Sequence, residues 1–232
     1  MTWGWDNRDR ILDLALTHMW LSAIPIVLGF VIALPIGWYA NKRRWFRGPI
    51  LSLGSVLYSI PSLPLFVILP SIIGTRILDP TNVVVALTVY ATAIMVRSAC
   101  DAFESVSGSV LDAAEATGYS GPQRGFGVEL PLAGPVLLAG LRVVSVSTVS
   151  LVSVGALIGV SSLGSFFTDG FQRDFTTEIM VGVVGIVVIA LLFDAVLVLT
   201  GRLLMPWTRA TARPRFERIR SFRYAFGSGP GS

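Results

Sequence analysis

The sequence predicts an all-α fold, a polytopic transmembrane helical bundle of about five spans. Of the 232 residues, 53% are hydrophobic and 14% are charged, whereas soluble domains carry roughly 25% charged residues. A soluble chain of this size could not cover so much apolar surface, so that surface is expected to face a lipid bilayer. The apolar residues also fall into runs of about 20, the length that a helix needs to cross a bilayer.

Five apolar runs meet this length. They are Met19–Tyr39, Pro49–Ile73, Val83–Phe103, Leu132–Leu157 and Ile179–Leu204. The chain then divides into an N-terminal segment 1–18, a transmembrane domain 19–204 and a basic tail 205–232. Because the number of spans is odd, the two termini are expected on opposite sides of the membrane.

Basic residues set the orientation of the bundle. The loop after the first span contains Lys42, Arg43, Arg44 and Arg47, and the segment 209–223 after the fifth span is rich in arginine. With five spans both segments lie on one side, which the positive-inside rule makes the cytosol. The C-terminus and the loop 104–131 are then cytosolic, and the N-terminus is outside. The basic tail is expected to lie on anionic lipid headgroups; nucleic acid is not an expected partner of a membrane-tethered tail.

The N-terminal segment 1–18 leaves two interpretations open. Residues 11–16 form either a short interfacial helix or a simple extension of the first span. His18 is expected to be solvated at the membrane interface, and Cys100 to be a small packing residue. One cysteine and one histidine cannot build a disulfide or a metal cluster, so no metal or other cofactor is expected on this chain.

The loop 104–131 contains an unusual pattern. Its alanine-rich stretch has high helix propensity, and Asp112 is expected near the N-terminus of that helix, where a negative charge suits the helix dipole. Gly118 fits the left-handed position that ends a helix. Pro131 fits the first turn of the fourth span, where its missing N–H costs nothing. The pattern therefore predicts a short helix across the cytosolic mouth, then a turn, then a membrane helix.

This spacing resembles the cytoplasmic signature of binding-protein-dependent ABC permeases, Glu-Ala-Ala-x3-Gly-x9-Ile-x-Leu-Pro. Asp112 stands in place of Glu and Val128 in place of Ile; the matching residues are Ala113, Ala114, Gly118, Leu130 and Pro131. The resemblance implies a permease domain of the type I ABC importer (MetI-like) fold, in which this loop couples to an ATPase.

That ATPase is expected on a separate subunit, which would bind the ATP. The only lysine, Lys42, lies in an arginine-rich loop without the glycines of a phosphate-binding P-loop. This chain is therefore not expected to be an enzyme. The resemblance further implies an extracytoplasmic solute-binding protein and a second permease chain, which gives either a homodimer or a heterodimer.

Further matches indicate the osmoprotectant branch of this family, whose members import glycine betaine, carnitine, choline or proline betaine. Residues 59–63, Ser-Ile-Pro-Ser-Leu, resemble that branch's second-span signature, and residues 129–135 and 139–142 resemble its fourth-span entry. Two features depart from the branch: serines occupy 161–162 in place of two glycines, and Pro64 replaces a small residue. Importers of methionine and other amino acids share the loop signature and are the alternative.

Prolines in the second span predict a helix that breaks or bends easily. Broken helices expose backbone polar groups only where they line a cavity or are buried in protein. Residues 59–64 are therefore predicted to face the translocation path, with a packed kink as the alternative. A quaternary ammonium could also rest on the aromatic faces of Trp20, Trp38 or Phe66 by cation–π attraction. The candidate path residues are Tyr58, Ser59, Pro61, Ser62, Pro64 and Tyr90.

Charged residues inside the predicted spans need partners. Arg97 and Asp194 lie at similar depths in the third and fifth spans, which run in the same direction. We therefore expect an Arg97–Asp194 pair, with Arg142 as the competing partner of Asp194. Such a pair is expected to hold helices together rather than to carry a proton.

Two other functional classes fit the sequence less well. An ion-coupled secondary carrier usually shows inverted repeats, and five spans do not divide into two equal halves. An intramembrane enzyme needs a nucleophile with a base, or a metal cluster, which the histidine and cysteine content does not supply.

Overall fold

The computed structural model describes residues 2–209, and helices account for most of them. Residues 210–232, most of the predicted basic tail, lie outside the described residues. A π-helix, Gly125–Glu129, joins α7 to α8, and a 3-10 helix, Ser153–Ile158, follows α8. The α-helices are α1 (Thr2–Asp6), α2 (Arg8–Lys42), α3 (Arg44–Ser59), α4 (Ser62–Ile73), α5 (Pro80–Glu104), α6 (Gly108–Ala116), α7 (Gly121–Arg124), α8 (Leu130–Val152), α9 (Ser165–Gln172) and α10 (Thr176–Leu204).

Within residues 2–209, four helical segments are long and apolar enough to cross a membrane: 8–42, 80–104, 121–158 and 176–204. Helices α3 and α4 meet that standard only together, and they meet at an angle of 99°. Because α2 and α5 run parallel, as the contacts below show, the α3–α4 pair must return the chain between them. The described residues thus form five crossings.

Helices α2 and α5 pack closely through small residues. A Cβ at Gly29 would lie 2.6 Å from the Cβ of Ala91, and a Cβ at Gly37 would lie 2.5 Å from the Cβ of Ala99. From the first contact to the second, the position moves eight residues forward along both helices, from 29 to 37 and from 91 to 99, so α2 and α5 run parallel. Small residues let the backbones of membrane helices approach closely. This seam, with Ala33 buried in it, forms the centre of the bundle.

The remaining spans run antiparallel to their neighbours. Helix α8 crosses α5 with Gly140 against Ser98 near one end, and Gly155 just beyond it lies against Val83 near the other. Helix α10 packs on the outer side of α8. The bundle therefore has one end that carries α6 and an opposite end that carries α9, which we call the α6 end and the α9 end.

The second predicted span, Pro49–Ile73, is a broken helix, and the break lies at Pro61 as the prolines predicted. Residues Ile60 and Pro61 are extended, with ψ angles of 127° and 138°. Since Pro64 has no N–H, the Ile60 carbonyl has no helical donor four residues later. The Tyr90 hydroxyl donates to that carbonyl instead, at 2.6 Å. Pro70 lies inside α4 without a break.

The structure decides between the two interpretations of residues 11–16 in favour of an extension of the first span. Helix α2 begins at Arg8, so residues 11–16 extend the span and do not form a separate interfacial helix. His18 is fully buried, and the expectation of a solvated histidine is wrong. Its Nε2 donates to the Val149 carbonyl at 2.9 Å. That carbonyl is free because the Ser153 N–H turns to the Ser150 carbonyl where α8 tightens into the 3-10 helix.

A charged cluster fixes the α9 end. Glu178 at the start of α10 is fully buried, and it contacts Arg10 at 3.1 Å and Arg173 at 2.9 Å. Arg10 also binds Asp169 on α9. A buried carboxylate needs such partners because losing its hydration is costly. The cluster holds the N-terminal part of α2 against α9 and α10, so the segments 1–18 and 161–177 lie at one end of the bundle.

Candidate functional site

The predicted loop helix is present at the α6 end, but it begins earlier than expected. The chain leaves α5 at Ser105, and α6 starts at Gly108 after the extended residue Ser107. Asp112 therefore lies in the middle of α6, and its predicted position at the helix N-terminus is wrong. The family signature starts at Asp112, so residues 108–111 were not predicted to belong to the helix.

Gly118 ends this helical segment in the left-handed conformation, as predicted. Its φ is +88°. The Gly118 N–H donates to the Glu115 carbonyl at 2.9 Å, and the Tyr119 N–H donates to the Ala114 carbonyl at 3.1 Å. These bonds satisfy carbonyl groups that the end of the helix would otherwise leave without donors.

Pro131 lies in the first turn of α8, as predicted, but the helical segment of the fourth span starts about ten residues earlier, at Gly121. Ser120 and Gln123 form a capping box at the start of α7. The helix then continues through the π-helix into α8. Just before the proline, the Leu130 N–H bonds to the Gly125 carbonyl, five residues back. This shift of hydrogen-bond register accommodates a proline inside a continuous helix.

Arg124 connects α6 to the core of the bundle. Its Nη1 donates to Glu115 at 2.8 Å, and its Nε donates to Glu129 at 3.1 Å. Glu129 is only 4% exposed, and its second oxygen accepts from the Trp38 indole N–H at 2.7 Å. A continuous polar chain therefore runs from α6 to α2. In the sequence these contacts are marked only by two acids and an arginine, Glu115, Arg124 and Glu129, close together in one loop, and none of the three was predicted to form an ion pair.

The signature residues divide between an outward face and an inward face. Ala114 is buried against the bundle at 8% exposure, whereas Asp112 and Ala113 point outward from α6. The surface that α6 presents is thus short, small in side-chain volume and held from beneath. Exposed signature residues are Asp112, Ala113 and Gly118; half-buried ones are Val128, Leu130 and Pro131.

Residues 26–210 match the family model described as binding-protein-dependent transport system inner membrane component. This chain belongs to that family. It is a permease component, and its several apolar helices make it a multi-pass protein of the inner membrane.

Relatives match the permease over most of its length. The osmoprotectant import permease protein OsmW of Salmonella typhimurium is 29% identical over 192 residues, 82% of this chain and 89% of that protein. The glycine betaine/carnitine/choline transport system permease protein OpuCB of Bacillus subtilis is 25% identical, over 89% of this chain and 94% of that protein.

Solved structures share its fold. The MetNI methionine ABC transporter in an inward-facing conformation aligns with a TM-score of 0.67 at 22% identity, over 88% of this chain and 96% of that chain. An amino acid ABC transporter with histidines aligns with a TM-score of 0.70 at 16% identity, over 85% of this chain and 95% of that chain. The permease therefore has the predicted type I (MetI-like) fold.

The predicted path residues meet at the break between α3 and α4. Tyr58 is 49% exposed, and its ring lies edge-on to Tyr90 with centroids 6.0 Å apart. Tyr90 itself is buried and supports the break through its hydroxyl. Ser59, Pro61 and Pro64 are exposed, and Ser62 is half-buried.

The other aromatic candidates have separate environments. Phe66 is fully buried in the core, so it cannot line a path. Trp38 belongs to the polar chain beneath α6, and the Lys42 ammonium lies 3.6 Å from its ring centroid. Trp20 is 43% exposed.

The expected Arg97–Asp194 pair does not form, and Arg142 binds Asp194 in place of Arg97. Arg142 donates from Nε and Nη2 to the two oxygens of Asp194, at 2.6 and 2.9 Å. Helix α10 packs beside α8 rather than α5. Lateral position, which a single sequence does not give, decided the pairing.

We expect the Glu129→Gln variant to lower the permease's ATP-dependent transport rate about tenfold, a typical effect of weakening a buried, charge-assisted hydrogen bond. The amide presents only one acceptor oxygen, so Arg124 and Trp38 cannot both be satisfied, and α6 loses its fixed position. The matched control is Asp9→Asn, a carboxylate outside the polar chain whose side chain is 92% exposed and which contributes little. Transport at the wild-type rate in the Glu129 variant, at equal protein amount, would show that the polar chain does not position α6.

Proposed function

We propose that this chain is the permease subunit of an ATP-driven importer for a small quaternary-ammonium osmoprotectant such as glycine betaine, carnitine, choline or proline betaine. The observation that carries the proposal is the nearly full-length match to relatives named for the import of such solutes. The segment Ser59–Leu63, which resembles the second-span signature of that branch, supports it further.

The orientation follows from the basic residues at the α6 end. Lys42, Arg43, Arg44 and Arg47 lie there, and such residues favour the cytosolic side. The coupling residues of α6 then face the cytosol, where a separate ATPase subunit would receive them. The α9 end and the N-terminus face outward, where a solute-binding protein would deliver the solute.

A second permease chain completes the path. Helix α3 has no buried residue, and Leu53 and Val56 are 60% and 63% exposed. One bundle of five spans does not enclose a channel, so a second copy or a related permease chain is expected to face this one. The break at Ser59–Pro64 then lines the space between them.

The proposal can be tested by expressing the permease with its ATPase and solute-binding protein in cells that lack osmoprotectant uptake. We expect accumulation of labelled glycine betaine or a related solute, and we expect it to stop when the P-loop lysine of the ATPase is replaced. Uptake of methionine alone would favour the amino-acid importer alternative. Uptake that survives loss of the ATPase and depends on an ion gradient would favour a secondary carrier.

A further inference from the structure

A small groove lies between α3 and α5, on the α6 side of the break at Pro61. Its volume is about 250 Å³, and helices α3 and α5 meet closely at its base, where a Cβ at Gly54 would lie 3.3 Å from the Ala93 carbonyl oxygen. Polar groups line it among apolar ones, namely Ser55, Tyr58, Arg97 and Ser98. Ordinary ligand pockets are roughly 300–1,000 Å³, so this groove suits only a small solute.

Arg97 in this groove has no ion pair or hydrogen bond within residues 2–209. Asp101, one turn further along α5, is held by Arg47 at 3.2 Å, and the same guanidinium binds Glu104. Asp194, the acid predicted to pair with Arg97, forms its ion pair with Arg142 instead. A guanidinium keeps its charge in proteins, and a charge within a membrane span needs a partner. Neither of these two acids is left for Arg97 among residues 2–209, so its guanidinium is available to a carboxylate ligand.

Tyr58 gives the same groove an aromatic surface. Its ring is half-exposed, and the edge-to-face contact with Tyr90 holds it in place. An aromatic face attracts a quaternary ammonium by cation–π interaction. The groove thus offers a guanidinium and an aromatic face, which complement the two ends of one small zwitterion.

We propose that this groove is a solute site in which Arg97 binds the carboxylate of a betaine- or carnitine-type zwitterion and Tyr58 contacts its quaternary ammonium. The inference rests on the proposed function and narrows it, since choline has an ammonium but no carboxylate. It assigns to the permease itself a preference for carboxylate-bearing solutes, in addition to any selectivity of the solute-binding protein.

The test measures uptake of glycine betaine, carnitine and choline by the complete transporter with wild-type, Arg97→Gln and Arg97→Lys permease. Each rate is expressed relative to wild type for the same solute, so the selectivity of the solute-binding protein cancels. We expect Arg97→Gln to lower kcat/KM at least tenfold for glycine betaine and carnitine and less than twofold for choline, with Arg97→Lys in between. The control is Arg76→Gln, in an exposed loop outside the groove, which should leave all three rates unchanged.

ATP hydrolysis stimulated by the loaded solute-binding protein is measured in parallel. Its retention in Arg97→Gln supports a solute site, and it separates such a site from a structural contact with the second permease chain. Equal loss for all three solutes together with loss of that hydrolysis would overturn the inference, as would an unchanged Arg97→Gln variant or a wild type that transports choline alone. A wild type that transports none of the three solutes would show that the proposed function has failed, before any variant is considered.

Discussion

Replacing Gly118 with valine is expected to abolish ATP-dependent uptake while leaving the permease in the membrane at its normal amount. Gly118 has a φ of +88°, a conformation that costs a residue with a Cβ roughly 1–2 kcal/mol, and valine is further restricted by its branched side chain. That cost is too small to unfold the bundle. The loop can relieve it by changing the angle at which α6 leaves the turn, which would misplace the surface offered to the ATPase.

The glycines of the same loop provide matched controls. No atom lies within 4 Å of a Cβ built at Gly118, Gly108 or Gly121, and only Gly118 of the three has a positive φ. Gly108→Ala and Gly121→Ala should therefore transport normally, and Gly118→Asn should retain most activity because asparagine tolerates the left-handed region. Normal uptake by Gly118→Val would mean that the turn does not set the coupling geometry.

Features encoded by neighbouring residues were predictable from the sequence. The left-handed turn at Gly118 and the break at Pro61 follow from the backbone chemistry of glycine and proline, which acts at the residue itself. The spans follow from runs of apolar residues along the chain, and finding them needs no knowledge of which helices pack together. The family signature in the loop 104–131 belongs to this class, since its residues stand at fixed spacing along the chain.

Features that depend on which helices lie side by side were not predictable. His18 is buried because α8 changes its hydrogen bonding at Ser153 and frees a carbonyl 131 residues away in sequence. Asp194 pairs with Arg142 because α10 packs on α8. Glu129 is buried in a polar chain whose other end, Trp38, is on another span. Each outcome is a long-range contact between polar groups, and hydrophobic pattern carries no information about such contacts.

Breaking the Arg142–Asp194 ion pair is expected to lower the thermal stability of the permease. Helix α10 is only weakly embedded among the described residues, since the buried ones along its length are Glu178, Gly182, Ile189 and Gly201, so its attachment to α8 depends on few contacts. Asp194→Asn leaves the Arg142 guanidinium without a carboxylate in a membrane span. We expect the melting temperature of the Asp194→Asn permease in detergent to lie about 5 °C below that of the wild type, a typical consequence of losing a paired charge in a chain of this size.

The charge swap provides the decisive comparison. Arg142 and Asp194 share two parallel hydrogen bonds, and the geometry of an arginine–carboxylate pair can be re-formed with the partners exchanged. The double variant Arg142→Asp/Asp194→Arg should therefore be more stable than either single variant, which a double-mutant cycle measures directly. If the two single effects simply add, the pair has no coupling energy, and α10 is held by apolar packing, for example where Gly201 meets Leu138. A positive coupling with normal transport rates would show that the pair joins helices and takes no part in transport itself.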